Sequence, residues 1–270
     1  MLPLSLIRKY LALLRVQMGI QMEYRIVMLI WLLSGFALPL INLMVWSSIA
    51  VQRPVNGMTV ADFVSYFLAV LAVDHFVAEW SGYHFDLFVR KGRLSAKLLR
   101  PIDPIHELAA ENIGYKVAQA MFVLPVWAFL FWLLDGTPYV CTALSIVGFI
   151  ISLLLAGILN FILGYALGLI TFWTESGIGL YEMLTWGVGY FLSGRMAPLS
   201  ALPHWAQVLA NALPFRYTIA FPIDILMGKV NTIQELLTGI GWPLAWIAIA
   251  VILWKALWMA GTRRFTAVGG

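Results

Sequence analysis

Long apolar runs broken by short polar stretches dominate the chain. Six of them, residues 26–49, 60–80, 113–134, 142–170, 177–196 and 240–260, approach the ~20 residues that a bilayer core requires, and each is predicted to be a transmembrane helix. Ahead of them, Leu4, Ile7, Leu11, Leu14 and Met18 recur at helical spacing, with Arg8, Lys9 and Arg15 mainly opposite. This predicts an amphipathic helix within residues 1–25, able to lie along a membrane surface, before a permease-like domain over 26–270.

Two of the runs carry more than hydrophobicity. The second is interrupted by Asp62, Asp74, His75 and Glu79, leaving only Val64 to Val73 cleanly apolar, so it is expected to sit inside a bundle. The fourth places Gly148, Ser152, Ala156, Asn160, Gly164 and Gly168 every four residues, with Gly157 beside them. Small residues at this spacing let two helices approach closely, either between subunits or within one, and Asn160 is expected to hydrogen-bond across helices. After the fifth run, Pro198, Pro203, Pro214 and Pro222 divide an apolar outer segment, residues 197–230. A short helix starting at Pro203 would present Trp205, Leu209 and Leu213, and a second would reach about Met227. Such pieces read as interfacial or re-entrant, and backbone of that kind is tolerated at membrane depth only where protein or water covers it.

Composition removes the soluble alternatives. The chain is 62% hydrophobic and 11% charged, with a mean hydropathy of +0.89, whereas soluble domains carry about 25% charged residues. It is read as an all-α integral membrane protein. Several of the twelve Trp, such as Trp46, Trp80, Trp132, Trp173, Trp242 and Trp258, fall near span ends, as in an interfacial belt. A single cysteine, Cys141, excludes an intrachain disulfide and a thiolate metal cage. No cleavable signal peptide is expected, since the first long run begins near Ile26 and exceeds a signal core. The net charge of +4 fits cytoplasmic loops and anionic lipid headgroups better than nucleic acid.

The basic residues are concentrated. Arg90 to Arg100, RKGRLSAKLLR, holds five of the seventeen Lys and Arg, between the second and third spans. With both termini cytoplasmic, Arg8, Lys9, Arg15, Arg25, these five, Arg263 and Arg264 lie inside, eleven in all. Four lie outside: Arg53, Arg195, Arg216 and Lys229. The positive-inside rule selects this orientation, expected in a plasma membrane of the bacterial inner-membrane type.

Catalytic chemistry is sparse. No GxxxxGK[ST] phosphate loop occurs, and Gly228-Lys229 is followed by Val230. His106-Glu107 lacks the second histidine of HExxH, no GxSxG elbow is found, and His75, His84, His106 and His204 give no metal-ligand spacing. The chain is expected to be neither an enzyme nor a metal or cofactor binder. Among ionisable residues, Asp74 and Glu79 are candidates for a substrate pathway, because charge in a bilayer is expensive. They either contact a cationic substrate or pair with Lys116 or the basic loop. Glu175 and Glu182 read as an ordinary cytoplasmic loop or as a second partner contact.

Glu79 to Pro104, EWSGYHFDLFVRKGRLSAKLLRPIDP, and Leu213 to Lys229, LPFRYTIAFPIDILMGK, resemble ABC-2-type export permeases: a Trp at the span end, a basic-Gly turn and Leu-Leu-Arg-Pro. The order of elements resembles that family over nearly the whole chain. The resemblance implies a type V-like exporter fold: six spans, an N-terminal amphipathic helix and short outer helices. It also implies that loop 86–106 forms a coupling helix docking on a separate ATPase that carries ATP and Mg. Arg90, Arg93, Leu98, Leu99, Arg100 and Pro101 are the expected contacts, charges steering and leucines filling a groove. A second permease subunit is implied, a different chain rather than a copy being favoured. The cargo expected is an amphipathic or lipid-like molecule, drug or peptide. Two other readings stand beside this one: a stand-alone secondary transporter using Asp74, Glu79 and Asp62, and a membrane scaffold.

Overall fold

The computed structural model describes residues 4–174 and 177–265, without the side chains of residues 4–7, Arg25 and Met28. Leu4 and Ile7 of the predicted amphipathic stripe, the Arg25 side chain and Glu175 therefore lie outside it. Among the described residues the chain is helical, with one isolated bridge pairing Val55 and Met58. In order the helices are α1 Leu4–Glu23, α2 Arg25–Gln52, α3 Val60–Val77, α4 Ser81–Arg90, α5 Leu94–Leu98, α6 Pro104–Leu134, α7 Ala143–Gly168, α8 Gly177–Glu182, α9 Gly189–Leu192, α10 His204–Ala212, α11 Ala220–Leu226 and α12 Ile233–Arg264.

Five helical stretches are long and apolar enough to cross a membrane: Leu29–Gln52, Val60–Arg90, Pro104–Leu134, Ala143–Phe172 and Ile233–Arg264. The fifth predicted span, 177–196, is different. It consists of α8, a π-helical stretch Met183–Val188 and α9, and its helix stops at Leu192. At about 1.5 Å per residue it rises roughly 24 Å, less than a ~30 Å hydrocarbon core. Beyond it the backbone turns at Gly194, whose φ of +96° suits glycine. Its carbonyls are covered from within: Tyr66 donates to the Gly194 oxygen at 2.7 Å, Asn42 to Arg195 at 3.3 Å and Trp46 to Met196 at 3.0 Å. Non-helical backbone at depth is satisfied by protein, as the bilayer demands.

The polar interruptions of the second run have the expected consequence. The window from Val60 is 61% buried, against 22% or less for the other four, so α3 is the central helix. A capping box starts it, Thr59 and Asp62 bonding each other's backbone, and Asp62 also accepts from Thr137 at 2.7 Å. α2 and α6 flank α3, while α7 packs on its other side and carries α11 and α12. An added Cβ at Gly148 would lie 2.8 Å from Leu236 of α12, and one at Gly114 of α6 would lie 3.0 Å from Gln17 of α1. The fourth span's small residues thus serve contacts within this chain.

Helix α1 packs lengthwise on the first half of α6: Tyr10 bonds His106, and Gln17 meets Gly114. Its buried side is formed by Tyr10, Leu13, Leu14, Gln17, Met18 and Gln21, while Leu11 of the predicted stripe is exposed. In the outer segment, α10 exposes Trp205 and Leu209 as foreseen, but α11 buries Phe221, Ile223 and Ile225 against α7 and α3. The second short helix is therefore a core element.

Candidate functional site

The loop joining α4 to α6 is a small rigid platform. Helix α4 ends at Gly92, with φ +65°, a left-handed closing position that glycine adopts without strain. Leu94 then inserts fully buried among Phe85, Ile105, Leu108, Tyr165 and Leu169. Lys97 donates to Glu107 Oε2 at 2.7 Å and lies 4.0 Å from the Phe88 ring centre. Arg100 reaches the same carboxylate at 3.6 Å, and Arg90 bonds Asp86 one turn back, which Thr171 also holds at 3.0 Å. Of the six residues chosen from sequence, Arg90 and Arg100 are therefore tied to the platform. Arg93, Leu98, Leu99 and Pro101 stand exposed, Leu99 at 89%. Sequence reasoning missed Leu94 and Lys97, whose partners lie on other elements.

Above the platform the second span is broken at Ala78–Trp80. Three side chains from elsewhere hold the break. Asn160 of α7 donates to the Val77 carbonyl at 3.0 Å and Asn112 of α6 to that of Ala78 at 3.2 Å. Glu79, only 6% exposed, turns inward and accepts from the Ser81 amide at 2.7 Å, the Ser81 hydroxyl at 2.5 Å and Tyr181 at 2.9 Å. Its carboxylate thus caps the first turn of α4, where the helix dipole favours negative charge. Space for it exists because residue 164 is glycine: a Cβ there would collide with the carboxylate. One turn on, a Cβ at Gly168 would lie 2.9 Å from the Gly82 carbonyl oxygen. Gly157 is looser, 3.5 Å from the Phe76 oxygen. Glu79 is a structural cap, and the GxxxG pair seats α4 on α7.

Asp74 has a different setting. Arg195 Nε and Nη2 both donate to Asp74 Oδ1, at 2.8 and 2.7 Å. Lys116 acts on Asp74 and Glu79 only through its nearby charge, without a direct ion pair among the described residues, and Arg195 is not an outer-loop cation: its side chain is 10% exposed and reaches into the bundle. The pair lies on a cavity of about 300 Å³ between α2, α3, α6 and the π-helical stretch. Polar Asp74, His75 and Arg195 share it with the rings of Trp80, Tyr115, Trp186 and Tyr190, and Trp31, Leu32 and Phe36 line the α2 side. π-Helical turns recur at functional sites, and here one places Trp186 against the Arg195 guanidinium, 5.9 Å away. Glu182 is exposed.

Among the described residues no group of three or more His, Cys, Asp or Glu is arranged to hold a metal. Neither the curated proteins nor the solved structures compared with this chain gave a match. Over residues 36–269 the sequence does match the family described as ABC-2 family transporter protein. With most of its length covered and its long apolar helices in place, the chain belongs to the ABC-2 transporter family and is a membrane permease of an ABC transporter.

Proposed function

We propose that this chain is the membrane subunit of an ATP-driven exporter whose ATP and Mg are bound by separate ATPase subunits. It pairs with a second permease subunit, a different chain being favoured over a copy, and moves an amphipathic or lipid-like compound, drug or peptide by alternating access. Residues 177–196 act as the fifth of six spans in a type V arrangement, with membrane lipid around the bundle. Both termini and the α4–α6 loop face the cytoplasm of a plasma membrane. The chain itself has no catalytic role.

The observation that carries this reading is the form of the loop. Arg93, Leu98 and Leu99 project from a base fixed by Leu94, Lys97 and Asp86. An exposed leucine pair costs apolar surface in water, and a locked base lowers the ordering cost of docking. Arg93→Glu with Leu99→Asp in the purified complex is expected to abolish ATPase recovery and substrate-stimulated hydrolysis. Unchanged recovery together with unchanged hydrolysis would sink the assignment.

A further inference from the structure

We propose that the cavity between α2, α3 and α6 is a binding site for amphipathic organic amines, the protonated nitrogen held by Asp74 and the apolar tail lying against α2. This rests on the exporter reading and names its substrate class.

Asp74 and Arg195 are the charged groups on the cavity wall, while Lys116, whose charge also acts on Asp74, does not line it. Both Arg195 donors converge on Asp74 Oδ1, and among the described residues Oδ2 takes no hydrogen bond. The Asp74 side chain is 27% exposed, and the residue lines the cavity. A ligand cation needs only that free oxygen. An anion would have to pull Arg195 away from two charge-assisted bonds. A second acceptor comes from the backbone of α2: Pro39 has no N–H, so the Gly35 carbonyl lacks its helical donor. Gly35 and Pro39 both line the cavity. The tyrosine oxygens at the site already accept internally, Tyr190 from Asn42 and Tyr115 from Gln119. Their hydroxyl protons stay free to donate, while Asp74 Oδ2 and the Gly35 carbonyl are the open acceptors that an ammonium N–H matches. Ring faces of Trp80 and Trp186 add attraction for a cation in a water-poor site. Across the cavity Trp31 and Leu38 of α2 are exposed on the outer side of the bundle, so an alkyl tail can enter from the membrane.

The test uses the full chain in lipid nanodiscs and a medium-chain alkyl amine labelled with dansyl, with alcohol and carboxylate analogues of the same length. Energy transfer from Trp31, Trp80 and Trp186 reports occupancy. The amine is expected to bind at least about tenfold tighter than the alcohol, the scale of one desolvated cation contact. Asp74→Leu/Arg195→Met, which leaves no unpaired charge, should abolish that preference. Gly35→Phe, whose added Cβ meets nothing within 4 Å, should narrow the cavity and weaken all three probes. Equal binding of amine and alcohol, an amine preference that survives in the double variant, or tightest binding of the carboxylate overturns the proposal. ATPase recovery with the unaltered tagged chain tests the exporter reading separately, whatever the probes do.

Discussion

Gly168→Ala places a methyl group 2.9 Å from the Gly82 carbonyl oxygen, 3.1 Å from its carbonyl carbon and closer still to its Cα. Comfortable heavy-atom contact lies at about 3.5–4.0 Å, so α4 and α7 must separate locally by roughly 1 Å. The obstacle is backbone, which cannot rotate aside, and Gly82 is itself pinned: a Cβ there would meet the Tyr181 ring at 2.6 Å. Overpacking of this kind costs about 1–3 kcal/mol, against which alanine returns less than about 1 kcal/mol of helix propensity. A net loss of about 1–2 kcal/mol corresponds to an apparent melting midpoint lower by about 2–8 °C. Gly157→Ala on the same helix is the control, since its new Cβ sits at an ordinary 3.5 Å from the Phe76 oxygen. There the propensity gain dominates, and the midpoint should rise by about 2–4 °C. Thermal fluorescence-detected size-exclusion of detergent-solubilised protein measures both. If Gly168→Ala melts at or above the wild-type temperature, or if both variants shift the same way, the close seating of α4 on α7 is wrong.

Asp74→Asn and Arg195→Gln should each cost about 3–5 kcal/mol by stranding a buried charge, whereas Asp74→Leu/Arg195→Met should recover most of it; an equal loss in the double variant contradicts the pairing. Leu94→Ala, emptying a fully buried position, should cost about 2–5 kcal/mol in the same melting assay. Leu99→Ala should leave melting unchanged yet reduce ATPase recovery, and the reverse result would exchange the two roles. Asn160→Ala leaves the Val77 carbonyl without its donor, costing about 1–3 kcal/mol. Hydrogen exchange should then quicken at Ser81 to Tyr83, and unaltered exchange would show that Asn160 does not hold the break.

What the sequence made legible was whatever depends on local pattern. Spanning a bilayer requires length and hydrophobicity along one stretch, so five helices could be read directly. The start of α6 at Pro104 was missed, since charges over residues 106–111 hide it from hydropathy, although proline in a first turn is a signal. The predicted end of the second span at residue 80 falls on the break at Ala78–Trp80, but its cause was hidden because Ala-Glu-Trp contains neither proline nor glycine. Asn160, Asn112 and Tyr181 impose it from three other elements. Asp74 was recognisable as costly, but its partner lies 121 positions away. Helical periodicity identified α1, and its inward side keeps Leu14 and Met18 of the apolar stripe but adds Gln17 and Gln21 and leaves Leu11 exposed. Loop residues could be chosen by charge and apolar exposure; only the structure shows that ion pairs tether Arg90 and Arg100, while among the described residues Arg93 and Leu99 are free of them.

The broken second span makes the order of residues a poor guide to how movement travels. Covalently, α4 continues α3. Mechanically it belongs to α7, against which its glycine lies flush, and to the Leu169–Phe172 turn, where Thr171 grips Asp86. A displacement of the loop would therefore load α6 through Glu107 and the fourth span through Gly168 and Thr171 together, and the last span behind it, since Gly261 of α12 rests on Phe172. The cavity beside Asp74 has none of α4, α7 or α12 in its walls, so a load on the loop would reach it only through α6 or across the Ala78–Trp80 break, where the covalent thread and the packing part company.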